Sequence, residues 1–446
     1  MSSFNIAEHV IDGQYVREYH HATTTPDAPL KLCIKQYSPK NNPEPQPGDA
    51  TLIAAHGTGF PKELYEPLWE ELLARLNQAG TRVRSIWIAD AANQNASGIL
   101  NENNLGSDRK LPIGILLPPL HRQCQPSRLA NTPPASSFDH SRDLLHMINH
   151  FREQMPRPLI GVGHSLGAVQ MIFTSLIHPR LFTSLILLEP YIIEQLLSGD
   201  GSAVLAMSAK RRDVFRSRAE ATEQYRKVLK AWDPRVFDLW ARYGYRDLPT
   251  AIHPTVPKAI AHSTDPADVP VTLATTKHQE TLMYARLNLN RHVELGVPAG
   301  QTHLGQQVYR SEHLLSSKLV PFLRPTVLYV SGAGSPLCKA GVHARAAKRT
   351  GTQWGGSGGV EYERVEHVLV PKAGHTLPLE KVADTAAVMG PWIAKEVERF
   401  GADEQRLQEG WEKLSLKEKA TLGPVWREVI DNLPGVKKPA KKAAKL

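Results

Sequence analysis

The sequence predicts an α/β fold: a mostly parallel central sheet with helices on both faces, interrupted by a helical lid insertion. Three observations carry this. From Thr51 to Leu188 short apolar runs alternate with amphipathic helical patterns, and such alternation implies parallel strands joined by right-handed crossovers. Within that run, Leu159-Ile-Gly-Val-Gly-His-Ser-Leu-Gly-Ala-Val-Gln170 sets one serine between two glycines, directly after an apolar run and before a helical one. The alternation breaks at Pro190 and resumes only after about Leu323.

In chain order, residues 1–50 read as two antiparallel strands, roughly His9 to Tyr19 and Leu30 to Tyr37, closed by the proline-rich loop Pro39 to Pro47. Thr51 to Ala55 is a strand, Leu64 to Gln78 an amphipathic helix, Arg82 to Ala89 a strand and Asp139 to Arg152 a helix. Pro158 to Val162 is a buried strand, Leu166 to Ile177 a helix and Thr183 to Leu188 a further strand. The insertion is mostly helical, rich in arginine and aromatics, and offers no clear strand. Thr326 to Val330 and Val365 to Val370 then resume the sheet, followed by a helix from Val382 to Phe400 and further helices from Ala402 to Ile430. The expected organisation is a core in two parts, 1–189 and 324–400, a lid at 190–323, C-terminal helices at 401–434 and a basic tail at 435–446. Between Asp108 and Asp139 lie thirty residues with six prolines and no Asp or Glu. Neither helix nor strand explains them, and residues 110–135 read either as a lid loop or as sequence foreign to the fold, such as translated intron.

At 446 residues, 41% hydrophobic and 22% charged, the composition is globular. No run approaches 18 consecutive apolar residues, and the first residues lack the basic and apolar segments of a signal peptide, so the expectation is an intracellular protein without a membrane span. Cys33, Cys124 and Cys338 are far apart and without metal-ligand spacing, which argues against structural disulfides or zinc. The net charge of +9 does not require a nucleic-acid partner, because five lysines lie in the final ten residues. That tail is either a solvated basic end or, the favoured reading, a carrier for Ala444-Lys445-Leu446 as a variant of the Ser-Lys-Leu peroxisomal address, read by an import receptor. A homodimer is left open.

Is Ser165 a nucleophile? A Gly-x-Ser-x-Gly string arises by chance in roughly one chain of this length in several, and Gly355-Gly-Ser-Gly-Gly359 is such a case, a loop around Ser357 with few apolar neighbours. Ser165 differs because strand, sharp turn and helix surround it, the context in which a serine hydroxyl is lifted clear of a sheet edge. Such a hydroxyl needs a histidine base and an acid to orient it, in the order nucleophile, acid, histidine. His375 fits the base, since it ends Val368-Leu-Val-Pro-Lys-Ala-Gly-His375 before the last sheet-covering helix. The strand after the insertion, Val327-Leu-Tyr-Val-Ser-Gly-Ala-Gly-Ser-Pro-Leu337, offers no carboxylate before Glu361. Glu189, closing Leu185-Ile-Leu-Leu-Glu-Pro190, is therefore the expected acid, the bland alternative being a helix cap or a partner for a base in the insertion. Leu166 supplies one backbone N–H for a developing oxyanion, and the loop His56-Gly-Thr-Gly-Phe60 the second, through Thr58 before Gly59 or Phe60. His56, Phe60 and His164 are assigned to substrate binding. No metal or cofactor site has support.

With Gly-His-Ser-Leu-Gly, His-Gly-Thr-Gly, the late Ala-Gly-His and the Ala-Lys-Leu end in hand, the chain resembles the fungal peroxisomal α/β-hydrolases, those of toxin biosynthesis and of the mycophenolic acid pathway. Supporting stretches are His56-Gly-Thr-Gly-Phe-Pro-Lys-Glu-Leu-Tyr-Glu-Pro-Leu-Trp69, Trp87-Ile-Ala-Asp-Ala-Ala92, Leu100-Asn-Glu-Asn-Asn-Leu-Gly-Ser-Asp108, Asp139-His-Ser-Arg-Asp143 and Trp232-Asp-Pro-Arg-Val236. The likeness covers nearly the whole chain. It implies the α/β-hydrolase fold, acyl-CoA thioester hydrolysis, and a triad carried over onto Ser165, Glu189 and His375, with glutamate where the family usually has aspartate. It also implies a direct run from the Asp108 region to Asp139, without 110–135.

The expected function is thus a serine hydrolase that cleaves a thioester or ester of a bulky apolar acyl chain. Lys210-Arg-Arg212, Arg216 and Arg218 read as a solvated helix face, with contacts to CoA phosphates as the sharper alternative. Rival readings are a carboxylic ester hydrolase or lipase without CoA recognition, and a hydrolase-fold protein that only binds small molecules.

Overall fold

Both faces of the central strands Ala50–Ala55, Leu159–His164 and Ser184–Leu188 are buried, which is why they read as nearly unbroken apolar runs. The computed structural model describes residues 2–19, 22–106, 136–194, 200–257, 269–286 and 310–434. Segment 110–135 and tail 435–446, with Ala444, Lys445 and Leu446, lie outside the described residues. The chain divides into two units, Met1–Val397 and Glu398–Leu446.

The first unit is built on eight strands. These are β1 (Phe4–Asp12), β2 (Lys31–Pro39), β3 (Ala50–Ala55), β4 (Val83–Ala89), β5 (Leu159–His164), β6 (Ser184–Leu188) and, after the insertion, β10 (Thr326–Gly332) and β11 (Val365–Val370), in spatial order β1-β2-β4-β3-β5-β6-β10-β11. β2 runs antiparallel to both neighbours and every other pairing is parallel. Alternate residues fill two cores. Ile160 and Val162 pack on one face with Leu52, Ile186 and Leu328, while Leu159 packs on the other with Ile53, Leu185 and Val327.

Helices α1 (Glu66–Gln78), α2 (Asn95–Leu100), α3 (Ser137–His150) and α4 (Leu166–Ile177) cover the first half. A short 3₁₀ turn, Lys62–Tyr65, precedes α1. Ser136 and Asp139 form a capping box at the start of α3, satisfying orphan N–H groups where the described chain resumes. The N-terminal strand begins earlier than His9 and ends at Asp12. It is an exposed edge strand, so its pattern carries little of the alternation that would set its limits.

The insertion holds α5 (Asp200–Lys210), α6 (Arg218–Val228), α7 (Pro234–Tyr243), α8 (Lys277–Tyr284) and α9 (Ser311–Leu319). The expectation that it lacks strands is corrected. β7 (Val214–Phe215), β8 (Tyr245–Asp247) and β9 (Val271–Leu273) form an antiparallel sheet in the order β7-β9-β8. Two- and three-residue strands are too short to show a period, and a knot of Phe215, Tyr225, Trp240 and Tyr245 rings supports them instead. Downstream lie α10 (Pro336–Lys339), α11 (Val342–Arg349), α12 (Leu377–Glu380) and α13 (Val382–Glu412). The second unit adds α14 (Leu416–Ala420) and α15 (Pro424–Asp431).

Candidate active site

β5 ends at His164 and α4 begins at Leu166, so the whole turn is made by Ser165. Its φ of 54° lies in the left-handed region, a conformation that costs a non-glycine residue roughly 1–3 kcal/mol and persists only where its surroundings enforce it. They do so by donating and accepting. Ser165 N–H reaches the Leu188 carbonyl at 2.9 Å, and the Ser165 carbonyl receives Tyr191 N–H at 3.0 Å. The flanking glycines are demanded by close approach. A Cβ on Gly163 would lie 2.4 Å from Ala168 Cα, and one on Gly167 2.2 Å from the Ala55 carbonyl oxygen.

His375 stands in the turn between β11 and α12. Its Nε2 is 2.9 Å from Ser165 Oγ and its Nδ1 is 3.0 Å from Glu189 Oε2. Glu189 is fully buried at the end of β6, with a φ of 46°. Its Oε1 accepts the Gly332 N–H at 2.7 Å and its Oε2 accepts the Ser335 hydroxyl at 2.6 Å. The turn after β10, empty of acids, therefore serves as the cradle of this acid. Burial acts to raise the Glu189 pKa, but the His375 hydrogen bond, nearby His343 and the Ser335 hydrogen bond outweigh it and hold the carboxyl below its ordinary value. His343, which sequence reasoning missed, lies 3.8 Å from Glu189 Oε1. Its Nε2 donates to the Pro190 carbonyl and its Nδ1 accepts from Ser331, pinning the residue after the acid.

In the loop after β3 three amides are already spent. Gly57 N–H donates to Tyr65 Oη at 2.8 Å, Gly59 N–H to Gln94 Oε1 at 2.6 Å, and Phe60 N–H to the Gly57 carbonyl at 3.1 Å. Thr58 N–H has no partner among the described residues, and nor does its buried hydroxyl. The Leu166 N–H, in the first turn of α4, is likewise open, since Ser165 makes no side-chain cap. Of the candidate oxyanion donors in this loop, the bonding thus leaves Thr58.

Two residues expected to contact substrate are bonded within the protein. His56 is buried, its Nδ1 donating to the Gly57 carbonyl at 2.8 Å and its Nε2 accepting Ala91 N–H at 3.0 Å, so no polar atom remains for a ligand. His164 is equally enclosed, bonded to Tyr65 Oη at 2.8 Å and the His375 carbonyl at 3.1 Å. Burial, and then His375, push its pKa down to about 3, so the ring is neutral. Phe60 stays half-buried, stacked on His164 and edge-on to Trp232 of the insertion. Trp232 in turn bonds Thr376, next to His375, at 3.2 Å.

Ser357 has neither elbow nor partners of this kind; its amide bonds the Leu323 carbonyl in a glycine-rich loop. The arginines of the run are paired with neighbouring acids while staying largely solvated, with side-chain exposures of 43% at Arg212, 61% at Arg216 and 39% at Arg218. Arg211 pairs with Glu280, Arg212 and Arg216 with Glu220, and Arg218 with Asp247 and the Arg242 carbonyl.

A serine raised at the C-terminal edge of a parallel sheet, in line with a histidine and a buried carboxylate, is the arrangement of a hydrolase that works by acyl transfer. The chain belongs to the α/β hydrolase family, whose model matches residues 52–388. The Type I acyl-CoA thioesterase mpaH of Penicillium roqueforti is 37% identical over 97% of this chain and 96% of its own length. The related mpaH' of Penicillium brevicompactum is also 37% identical, with 99% of each chain covered. An abhydrolase domain-containing protein of Alternaria alternata is 26% identical over 62% of this chain and 99% of its own. Among solved structures, the peroxisomal α/β-hydrolase Lpx1 of Saccharomyces cerevisiae superposes with a TM-score of 0.63 over 95% of this chain and 100% of its own, at 15% identity, and shares the fold.

Proposed function

We propose that the protein is a serine hydrolase that cleaves acyl-CoA thioesters of a bulky, apolar acyl chain. The observation that carries this is the unbroken hydrogen-bonded path from Ser165 through His375 to Glu189. Ser165 Oγ attacks the thioester carbon while His375 Nε2 takes its proton, and Glu189 holds Nδ1–H and stabilises the imidazolium. Leu166 and Thr58 N–H groups receive the oxyanion, each worth roughly a hundredfold to a thousandfold in rate. Collapse expels CoA thiol, which leaves with the proton from His375, and water then resolves the acyl-enzyme by the same route. The thioester preference is supported by the 37% identity to proteins named acyl-CoA thioesterases.

A second reading, an oxyester hydrolase without CoA recognition, is favoured by one observation: Arg211, Arg212, Arg216 and Arg218 are engaged within the insertion. Comparing free-thiol release from a long acyl-CoA with hydrolysis of the matching glyceride and simple ester separates the two. Turnover of the ester alone overturns the thioesterase reading.

The setting we propose is the peroxisome, in fungal toxin-like secondary metabolism, with Ala444-Lys445-Leu446 read by an import receptor. A fluorescent reporter fused to residues 435–446 should collect in peroxisomes, and diffuse cytosolic signal refutes the address.

A further inference from the structure

Tyr65 packs in one of the two cores and His164 is buried beside it, and the polar atoms of both are fully bonded. Their bonds run in one direction. The His375 carbonyl can only accept, so His164 Nε2 carries the hydrogen across 3.1 Å. Nδ1 is then the acceptor, and the Tyr65 hydroxyl donates to it at 2.8 Å. The hydroxyl oxygen is left to accept Gly57 N–H, also at 2.8 Å. One unbranched path therefore joins the loop bearing Thr58 to the main chain of His375, passing through the residue before Ser165. The rings hold it from the sides: Phe60 stacks on His164 at 5.8 Å with planes 6° apart, and Tyr65 meets it edge-on at 5.9 Å.

We propose that Tyr65 and His164 are positioning residues, a strut that keeps the oxyanion loop and His375 at a fixed separation across the nucleophile. The inference rests on the reading of Ser165, His375 and Glu189 as the catalytic triad. Tying back Gly57 N–H leaves the next amide, Thr58, unpaired. Holding His375 by its carbonyl rather than its ring secures the loop while the ring stays available for the proton. Nothing in the path titrates near neutrality, since His164 remains neutral down to about pH 3, so the strut is the same at every working pH.

The test measures acyl-CoA turnover per active site, with sites counted by intact mass after labelling Ser165 with a serine-directed phosphonate. His164→Leu and Tyr65→Phe break the path, and an ångström-scale misplacement costs about a hundredfold in rate. We expect kcat per labelled site to fall between about tenfold and a hundredfold in both, with KM within about threefold of wild type. His164→Gln can donate from its amide nitrogen and accept on its oxygen, and should stay within about threefold of wild type. Unchanged kcat per site in Tyr65→Phe, or a His164→Gln as damaged as His164→Leu, overturns the strut. If His164→Leu does not fold, Tyr65→Phe decides alone, since it removes a single hydroxyl. A wild-type chain that never labels at Ser165 overturns the triad reading itself; a labelled wild type with unaffected variants overturns the strut alone.

Discussion

Glu189→Gln is the sharpest test of the site, because the carboxylate meets donors on both sides. Oε1 faces the Gly332 N–H at 2.7 Å, while Oε2 faces the Ser335 hydroxyl at 2.6 Å and His375 Nδ1 at 3.0 Å. An amide must turn its NH₂ one way or the other. Turned to Gly332, it sets two donors face to face in a fully buried place, which costs about 1–3 kcal/mol of stability. Turned to His375, it forces the imidazole to carry its hydrogen on Nε2, where it can no longer take the serine proton. A wrong tautomer of this kind costs about 10⁴-fold in kcat, or about 5.5 kcal/mol at 1.36 kcal/mol per tenfold. The clash disfavours the first placement, so the variant should bind substrate with nearly wild-type KM, keep nearly its wild-type melting temperature and turn over about 10⁴-fold more slowly. Thiol release from an acyl-CoA, with a thermal melt on the same preparation, measures all three. Full turnover would mean that the orienting acid lies elsewhere.

Three further outcomes follow from particular contacts. Gly163→Ala places its methyl 2.4 Å from Ala168 Cα, backbone that cannot yield, so we expect at least about 1–3 kcal/mol of destabilisation and loss of phosphonate labelling at Ser165; a variant that labels normally refutes the elbow geometry. Gly59 has a φ of 79°, and a Cβ there would lie 2.8 Å from Glu280 Oε2, so Gly59→Ala should disturb the neighbouring Thr58 amide and lower kcat by about tenfold to a hundredfold with folding retained; wild-type kcat would remove Thr58 from the oxyanion site. Burial is the leading cause that holds His140 down to about 4 and His164 and His313 to about 3. Unfolded histidines take protons near pH 6.5, so below that pH the unfolded chain binds more protons and stability falls. For three such residues the loss between pH 7 and 5.5 is about 4 kcal/mol, and equal urea stabilities at the two values would refute it.

The sheet was legible because its central strands β3, β5 and β6 are buried almost throughout, and β11 falls on the predicted Val365–Val370. That Ser165 and His375 would meet was legible from context, and that Glu189 would join them from the missing acid after β10. What that absence did not reveal is that Gly332 and Ser335 hold the carboxylate, since backbone and hydroxyl donors leave no mark in a pattern of charges. The bonding of His56 and His164 was hidden for a related reason: a histidine beside a glycine looks the same whether its nitrogens face a ligand or the protein's own carbonyls. The little sheet of the insertion escaped because Tyr245–Asp247 includes an arginine and an aspartate in three residues, and its support comes from rings far apart in sequence. Tyr65 was present in the stretch from His56 to Trp69, but its hydroxyl acquires meaning only where the chain folds it beneath the nucleophile.

The position of Glu189 before the insertion divides the cluster of Ser165, Glu189 and His375 by time and by inheritance. Ser165 and Glu189 end adjacent strands, joined by the Ser165 N–H to Leu188 carbonyl bond, and both precede the insertion, so their mutual geometry owes nothing to it. Only His375 lies beyond. During synthesis Ser165 and Glu189 emerge first, and His375 joins them only once β11 has paired beside β10. Because closing a longer loop adds only about 0.6 kcal/mol per doubling, the insertion is free to be lengthened, shortened or exchanged between descendants. Its length can then change without moving Ser165 or Glu189.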